Sequence, residues 1–569
     1  MEAISPFAAR VARNLCRRGE VRDERVELAV ALAVQGVSDG HLCIDLQSPG
    51  IDDPAAARIP DIDDWKAALS ASHIVGDGAD PSVPFVLEGL RLYLRRTWLR
   101  EERLAHELRA RISAAPQKVD TAMLESDLAT FFPADEESDQ HKAARMILER
   151  AFTVVSGGPG TGKTTLVARV IAMVLHQAWK QQHDVPRVLL TAPTGRAAAR
   201  LAEATSSALG PIIAGNDMPP PVRRSLQAFI DDDGRNGGTL HRVLGLGGQQ
   251  HRTQRKLDAD LVVVDEASMV DAAMLERLLD AVGPDARLVL LGDRDQLVSV
   301  GPGRVMGDLC ETGGPAEPWV ARLSHSFRHD AGGPIAGLAT AVREGRGDDG
   351  LALFREDGAE LTWVDLTGDG RFPRHVLESL VDRFASMVRT NRSCQTEEAM
   401  DRAHRVMTSF GVLSAHRRGR TGVDTLNASI ARTLGAQPRF DRGLAPGHPL
   451  IVDENDTDLG IFNGDLAFVT GAGHDAHFGK GRTLPLSRLP AHSPVFALTV
   501  HKSQGSEYDD VVIVLPSEPS AVTTRELLYT AVTRARSTVT IVGTAHVWKA
   551  AVSRRVERSS GLADKLRCP

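Results

Sequence analysis

Aromatic residues are scarce in this chain: 25 among 569, of which 16 are Phe, 6 Trp and 3 Tyr. With so few rings, extensive base-stacking platforms along a nucleic acid are not expected. Cysteine is rarer still. The five (Cys16, Cys43, Cys310, Cys394 and Cys568) are scattered with no CxxC pair, which argues against a disulfide framework and against a sequence-evident zinc or iron–sulfur site. Long apolar runs are missing too. The longest near the start, Leu28 to Val34, is too short to span a bilayer and follows a charged stretch without a cleavage-site pattern. Neither a signal peptide nor a membrane span is expected, and the expected location is cytoplasmic. Nor is there a cationic excess. At a net charge of −7, any nucleic acid must be met by a local basic groove and not by the total charge.

What is present is a repeated alternation. From about residue 118 onward, short apolar runs separate longer helical patterns: "FTVVSG", "RVLLTAPT", "LVVVDEAS" and "RLVLLGD", then "FGVLSAH", "VFALTV", "VVIVLP" and "VTIVGT". Strands apolar on both faces and separated by helices imply parallel sheets covered on both sides, here two α/β domains in tandem. Leu166, Val170 and Val174 beside Val167, Ile171 and Leu175 give the helix after the first run a broad apolar face. The Gly-, Pro- and Asp-rich stretches 216–238, 311–318, 344–350 and 471–483 read as loops. The first 115 residues hold helical patterns, one strand ("HLCIDL"), and a helix in "FVLEGLRLYLRRTWLREERLAHELRARI" with Leu90, Leu94 and Trp98 on one face. Seven arginines fall between Arg91 and Arg111, either as a solvated basic face or as contacts to a partner subunit or nucleic acid.

The chemistry begins at "GGPGTGKTT". Gly157, Gly158, Pro159, Gly160, Thr161, Gly162, Lys163, Thr164 and Thr165 form a P-loop with a strand before it and an amphipathic helix after it. Its backbone N–H groups and the helix N-terminus suit phosphates, Lys163 reaches the β- and γ-phosphates, and the Thr164 hydroxyl can ligate Mg²⁺. In "LVVVDEASM", Asp265 ends a strand where it can hold the same Mg²⁺, and Glu266 is placed to orient and deprotonate a water. Alone, the two acids would equally be a helix cap and first turn. Gln140, seventeen residues before Gly157, offers a donor and an acceptor suited to an adenine edge, or is a surface glutamine.

Further along, "LLGDRDQL" places Asp293, Asp295 and Gln296 after another strand, with Gln296 able to sense the γ-phosphate. "LSHSFRHD" carries Arg328 and "LLYTAVTRAR" carries Arg534; a guanidinium reaching from one domain into a triphosphate held by the other is an arginine finger. Candidate DNA contacts are Pro193, Thr194, Gly195 and Arg196 in "TAPTGRAA" and Thr239 and His241 in "TLHRVLG". Thr499, His501, Lys502, Ser503, Gln504 and Gly505 in "TVHKSQGSEYDDV" complete the set. Hydroxyls, backbone amides and a few cations contact phosphates without reading sequence. For His241 and His501 a purely structural role stands beside this.

In order, "GGPGTGKTT", "TAPTGRAA", "VVVDEAS", "GDRDQL", "SFR", "TVHKSQGSEYDDV" and "YTAVTRAR" resemble the motifs of superfamily 1 helicases. "GRTGVDTLN" and "NDTDLGIFNGDLAFV" look like the RecD branch, the alpha-subunit family of RecBCD exodeoxyribonuclease V. The resemblance covers about residues 120–545. It implies ATP and Mg²⁺ as cofactors and two tandem RecA-like P-loop domains (116–325 and 326–569) moving 5′ to 3′ on single-stranded DNA from double-stranded ends. A small SH3-like β insertion would lie about 440–492, and a helical N-terminal domain (1–115) would dock on a RecC-like subunit. A RecB-like subunit would supply a second motor and the nuclease. Stand-alone relatives are expected to carry a longer N-terminal extension than the 156 residues before Gly157, which favours the complex-borne subunit. Two rivals remain: a non-motor ATP-binding subunit, and an RNA-directed helicase of the same superfamily.

Overall fold

The computed structural model describes residues 4–49, 59–114, 119–132, 138–215, 218–231, 237–246, 256–311, 318–327, 333–355, 358–367, 370–434, 444–456 and 458–567. Its strands fall into four sheets. Near the N-terminus β1 (Cys43–Asp45), β2 (Val75–Gly76), β3 (Phe85–Glu88) and β4 (Arg91–Leu94) pair in the order β1-β4-β3-β2. The first lobe contains β5 (Phe152–Gly157), β6 (Val188–Ala192), β7 (Gly237–Thr239), β8 (Leu261–Val264), β9 (Arg287–Gly292) and β10 (Val320–Leu323). They form one all-parallel sheet, β10-β5-β9-β8-β6-β7. In the second lobe come β11 (Leu361–Asp365) and β12 (Phe410–Ser414). Next are β13 (Pro449–Val452), β14 (Leu466–Val469), β15 (Asp475–His477), β16 (Thr483–Pro485) and β17 (His492–Pro494). Last are β18 (Leu498–Thr499), β19 (Tyr508–Val514) and β20 (Ala535–Gly543). The lobe sheet β11-β20-β19-β12-β18 is again parallel throughout.

Both parallel sheets follow from their apolar runs. Every residue of β5 and of β8 is buried, as strands packed on both faces must be. Helix Lys163–Lys180 covers β5, burying Leu166, Val170, Val174, Val167, Ile171 and Leu175. The strands expected from the eight apolar runs are all present.

Four local expectations are corrected. Residues 85–94 are not the start of a helix but the hairpin β3–β4, turned at Gly89 with φ +63°; Leu90 therefore shares no helical face with Leu94 and Trp98, and the helix is Arg95–Ser113. The 216–238 stretch contains helix Pro220–Asp231, with Val222 and Leu226 buried; prolines in a first turn lack only N–H groups that have no intrahelical partner there. Residues 344–350 run into helix Gly347–Leu353. The 471–483 stretch contributes β15 and the start of β16, joined by a turn at Gly479, Lys480 and Gly481, all at positive φ. In the insertion, β16-β15-β14-β13-β17 is antiparallel; among the described residues β16 and β17 do not pair, so closure into an SH3-like barrel is not seen.

The N-terminal region mixes helices (Pro6–Arg18, Glu24–Ser38, Ile62–Ser70) with its own sheet. Its last helix, Arg95–Ser113, belongs as much to the first lobe: Leu104, Ala105 and Leu108 share a core with Val262, Leu288 and Leu290. Arg100 pairs with Glu276 at 3.2 Å and Arg111 donates to the Val282 carbonyl at 2.6 Å, so part of the arginine-rich face is spent on packing to this lobe. The C-terminal tail returns to the same place. Glu101, fully buried, accepts from Ser560 Oγ (2.8 Å) and Gly561 N (2.9 Å), and Lys565 Nζ sits between Glu88 (2.6 Å) and Glu102. Replacing Glu101 with Ala strands these donors. We expect a loss of roughly 1–3 kcal/mol, seen as a lower urea midpoint with faster hydrogen exchange concentrated in 95–113 and 556–567. An unchanged midpoint would mean the tail is held by its apolar contacts alone.

Candidate active site

The order of the first sheet decides where the chemistry can sit. Strands β5, β9 and β8 are neighbours, and their C-terminal ends deliver Gly157, Asp293 and Asp265 to one crevice, the position where open α/β sheets bind ligands. The loop after β5 needs its glycines. Gly160 and Gly162 have φ of +79° and +78°, a region costly for residues with a Cβ. At Gly157 an added Cβ would lie 2.7 Å from Thr161 Oγ1. Lys163, first residue of helix Lys163–Lys180, donates to the Gly157 (2.5 Å) and Gly158 (2.9 Å) carbonyls. Thr161 Oγ1 donates to Gly158 O at 2.9 Å, and Gln140 Nε2 donates to Thr161 O at 3.2 Å. Gln140 thus braces the loop from helix Asp139–Glu149.

The loop opens into a cleft of about 1130 Å³ between the lobes, lined by Gln140, Pro159 to Thr165, Asp265, Glu266, Asp293, Gln296 and Arg534. Burial, then the neighbouring Glu266 charge, push the Asp265 carboxyl up to about 6. A half-buried acid beside a like charge, with the Thr164 hydroxyl in the same cleft, is an all-oxygen donor set that fits Mg²⁺. Glu266 carries φ +50°, a left-handed conformation costing about 1–2 kcal/mol for a residue with a Cβ; such strain collects at functional positions. Its backbone N–H donates to Asp265 Oδ1 at 2.8 Å.

The second lobe reaches in from the turn after helix Arg525–Val532. Arg534, 3% exposed, donates to Gln296 Oε1 at 2.7 Å, to Ser506 O at 3.2 Å and to Thr530 O at 3.2 Å. Gln296 Nε2 in turn donates to Asp293 Oδ2 at 3.3 Å. Arg328 lies outside the described residues.

The DNA candidates come from the other half of the sheet, after β6 and β7. Thr194 Oγ1 accepts from Ala197 N and Thr239 Oγ1 from Arg242 N, both at 3.2 Å, so each hydroxyl already serves a helix start; His241 follows in the short helix Leu240–Val243. Pro193 and Arg196 are half-buried, and Arg196 Nη1 is buried without a hydrogen-bond partner. Gly195 is covered by the insertion: an added Cβ would fall 2.1 Å from the Phe462 ring. In the second lobe Thr499 Oγ1 accepts from Lys502 N at 3.2 Å, and Lys502 Nζ pairs with Asp453 of the insertion at 2.9 Å. His501 and Lys502 are exposed, but Ser503, Gln504 and Gly505 are buried, which keeps the Ser503 and Gln504 side chains from a strand in this arrangement. Gly505 O instead accepts from Arg200 Nη1 at 3.2 Å.

Sequence reasoning did not single out Tyr529, whose buried hydroxyl lies 3.0 Å from where a Cβ on Gly158 would stand, nor Arg200, which pairs with Glu507 across the lobes. It also passed over Phe327. Its backbone N–H donates to Gly160 O at 2.8 Å, and its ring is 67% exposed in the cleft with His325 edge-on at 4.6 Å. An exposed large apolar ring at the mouth of a pocket is the signal, and it is visible only in three dimensions.

Comparison with known proteins gives the family. A family model described as the N-terminal domain of RecBCD enzyme subunit RecD matches residues 1–93. An AAA domain matches 140–302 and a UvrD-like helicase C-terminal domain 494–542. The chain is 38% identical to RecBCD enzyme subunit RecD of Mycolicibacterium smegmatis, over 100% of this chain and 98% of that one. The chain belongs to the RecD family. The RecD subunit of Haemophilus influenzae is 31% identical over 89% of this chain and 85% of its own. Among solved structures, a Bacteroides Pif1 helicase with ADP-AlF3 and ssDNA is similar at a TM-score of 0.41 and 17% identity, over 74% of this chain and 94% of that one. Among the described residues no helix of this RecD-family chain is long and apolar enough to cross a membrane.

Phe327 gives this site a test of its own. Phe327→Ala is expected to raise the Kd of a fluorescent ATP analogue roughly 3- to 10-fold, the range of one aromatic contact, with the thermal midpoint unchanged. Equal affinity would remove Phe327 from the nucleotide site.

Proposed function

We propose that this chain is the ATP-driven 5′–3′ DNA helicase and translocase subunit of a RecBCD-type exodeoxyribonuclease V. It would unwind double-stranded DNA ends for recombinational break repair in the cytoplasm, with RecB-like and RecC-like subunits as partners. The observation that carries this reading is the Arg534–Gln296 hydrogen bond, 2.7 Å long and buried. It joins the second lobe to a cleft whose phosphate-loop residues belong to the first.

In this reading Lys163 binds the β- and γ-phosphates, and the P-loop amides of Gly158 to Thr165 cradle them. Thr164 and Asp265 hold Mg²⁺, which when bound would neutralise charge developing on the phosphoryl oxygens. Glu266 orients the attacking water and accepts its proton. Gln296 and Arg534, with Arg328, register the γ-phosphate, so that hydrolysis changes the fit between lobes. Loops 193–196, 239–241 and 499–505, two in one lobe and one in the other, turn that change into movement along a phosphate backbone. Membership of the RecD family, and the 98% cover of a RecBCD subunit, support the complex-borne form over a stand-alone enzyme.

Two measurements test this. Arg534→Ala is expected to cut single-stranded-DNA-stimulated ATP hydrolysis roughly 10³-fold or more, and Lys163→Gln to abolish it while DNA affinity persists. Strand displacement should occur on 5′-tailed and not on 3′-tailed duplexes. Nucleotide binding without hydrolysis or displacement by the wild-type chain would favour a non-motor regulatory subunit, and stronger stimulation by RNA would redirect the substrate.

A further inference from the structure

Two of the loops proposed to hold the strand run on into the wall of the nucleotide cleft. Loop 193–196 opens helix Gly195–Gly215, which goes on to line the cleft with Ala197, Arg200, Leu201 and Ala204. Loop 499–505 leads to Glu507 in the same wall, just ahead of β19. The two meet at close quarters. Gly505 takes φ +74°, and a Cβ on it would stand 3.4 Å from Ala197 Cβ, so the end of one loop lies against the first turn of the helix. Arg200, one turn beyond Arg196 on that helix, ties them together. Its Nη1 donates to Gly505 O at 3.2 Å and its Nη2 pairs with Glu507 Oε1.

Arg200 belongs to the first lobe and Glu507 to the second, so this pair spans the cleft. The Glu507 side chain is 10% exposed and holds a second guanidinium. Arg536 of its own lobe donates to Oε2 from Nη2 at 2.7 Å and from Nε at 3.2 Å. The two arginines take different carboxylate oxygens, so a Glu507 parted from Arg200 keeps Arg536 and is not left as a buried lone charge. The interlobe pair can therefore be strained or broken during a cycle. A strand crossing both loops sets their separation, and the helix and the 505–507 turn carry that setting into the cleft. We propose that Arg200 is a positioning residue that couples DNA to ATP hydrolysis: through Gly505 and Glu507 it holds the second-lobe wall of the cleft at the spacing that the bound strand imposes. Coupling between two sites is reciprocal, so the same residue lets nucleotide change the affinity for the strand. This rests on the motor reading above and adds a residue that acts through Glu507 and Gly505.

The test compares the full chain and Arg200→Ala in Mg-ATP, with and without saturating oligothymidine. The substitution is expected to lower the DNA-stimulated kcat roughly tenfold, the weight of one hydrogen bond to a charged group. DNA-free hydrolysis and KM for ATP should change less than about twofold, and the thermal midpoint should hold because Glu507 keeps Arg536. The factor by which a non-hydrolysable ATP analogue changes the Kd for the oligothymidine should shrink towards one. In a Glu507→Ala background the substitution should cost less than about threefold further, since its main partner is gone. An unchanged stimulated rate, an unchanged analogue effect or a full tenfold loss on top of Glu507→Ala overturns the proposal. So does an equal loss with and without DNA, the mark of a direct nucleotide contact or of misfolding. In each of those cases stimulated hydrolysis by the wild type leaves the motor reading intact, whereas its absence overturns both.

Discussion

The cleft is organised by a buried cation that has no carboxylate of its own. Among the described residues the hydrogen-bond acceptors of Arg534 are all neutral oxygens, those of Gln296, Ser506 and Thr530. A guanidinium out of water costs several kcal/mol unless an anion answers it, and neutral dipoles answer it only in part. Lys163, half-buried, reaches the same cavity from the first lobe and donates to two backbone carbonyls. Two cations from two lobes therefore converge on one cavity, and Arg534 does so without an anion among its hydrogen-bond partners. A triphosphate completes both at once. The affinity of such a site for its ligand and the attraction between its lobes are one quantity, which is the condition for a nucleotide to drive a domain movement.

The acids across the cleft fit the same account. Asp265 and Asp293 both have carboxyls raised first of all by burial, and in both Lys163 pulls the other way. Each is placed at the end of a central strand, β8 and β9, so the sheet bears the cost of holding them close. That sheet also separates tasks along its width. The nucleotide loops follow β5, β9 and β8, whereas the first-lobe loops proposed for DNA follow β6 and β7. A strand lying across β6 and β7 would not compete with a triphosphate over β5.

Much of this was legible in the sequence, and for identifiable reasons. The strands of both lobes were readable because apolar runs buried on both faces leave little ambiguity. That the P-loop, Asp265, Glu266 and Arg534 meet at one cleft was readable because the chemistry expected of them needs fixed residue types at fixed spacings. Residues 85–94 misled because Leu90, Leu94 and Trp98 mimic a helical stripe, while the decisive feature was one glycine turn. Helix Pro220–Asp231 was hidden by its own prolines, which favour a first turn as well as a loop. The place of Tyr529 could not be read at all: its hydroxyl lies against Gly158 of the P-loop, far away in sequence, and nothing local in "LLYTAVTRAR" shows that approach. The proposed division at residue 115 meets a similar difficulty, because helix Arg95–Ser113 packs into the first lobe and the C-terminal tail packs onto that helix.

Contacts between the lobes are of two kinds, and the difference bears on how a motor of this design can open. Away from the cleft floor, Lys480 of the insertion pairs with Glu203 at 2.7 Å with both side chains more than half exposed. An exposed ion pair contributes about 0–1 kcal/mol and can break and re-form without obstructing a cycle. At the floor, Arg534, Gln296 and Asp293 are buried and joined by hydrogen bonds, so parting them strands polar groups. The Phe462 ring on Gly195 lies between these extremes, an apolar contact seated directly on a loop proposed to hold the strand. The insertion thus touches the first lobe where DNA would pass and the second lobe where Lys502 meets Asp453. A change of fit at the buried floor must shift those two contacts relative to each other. The exposed ion pair can therefore yield at little cost while the buried floor cannot.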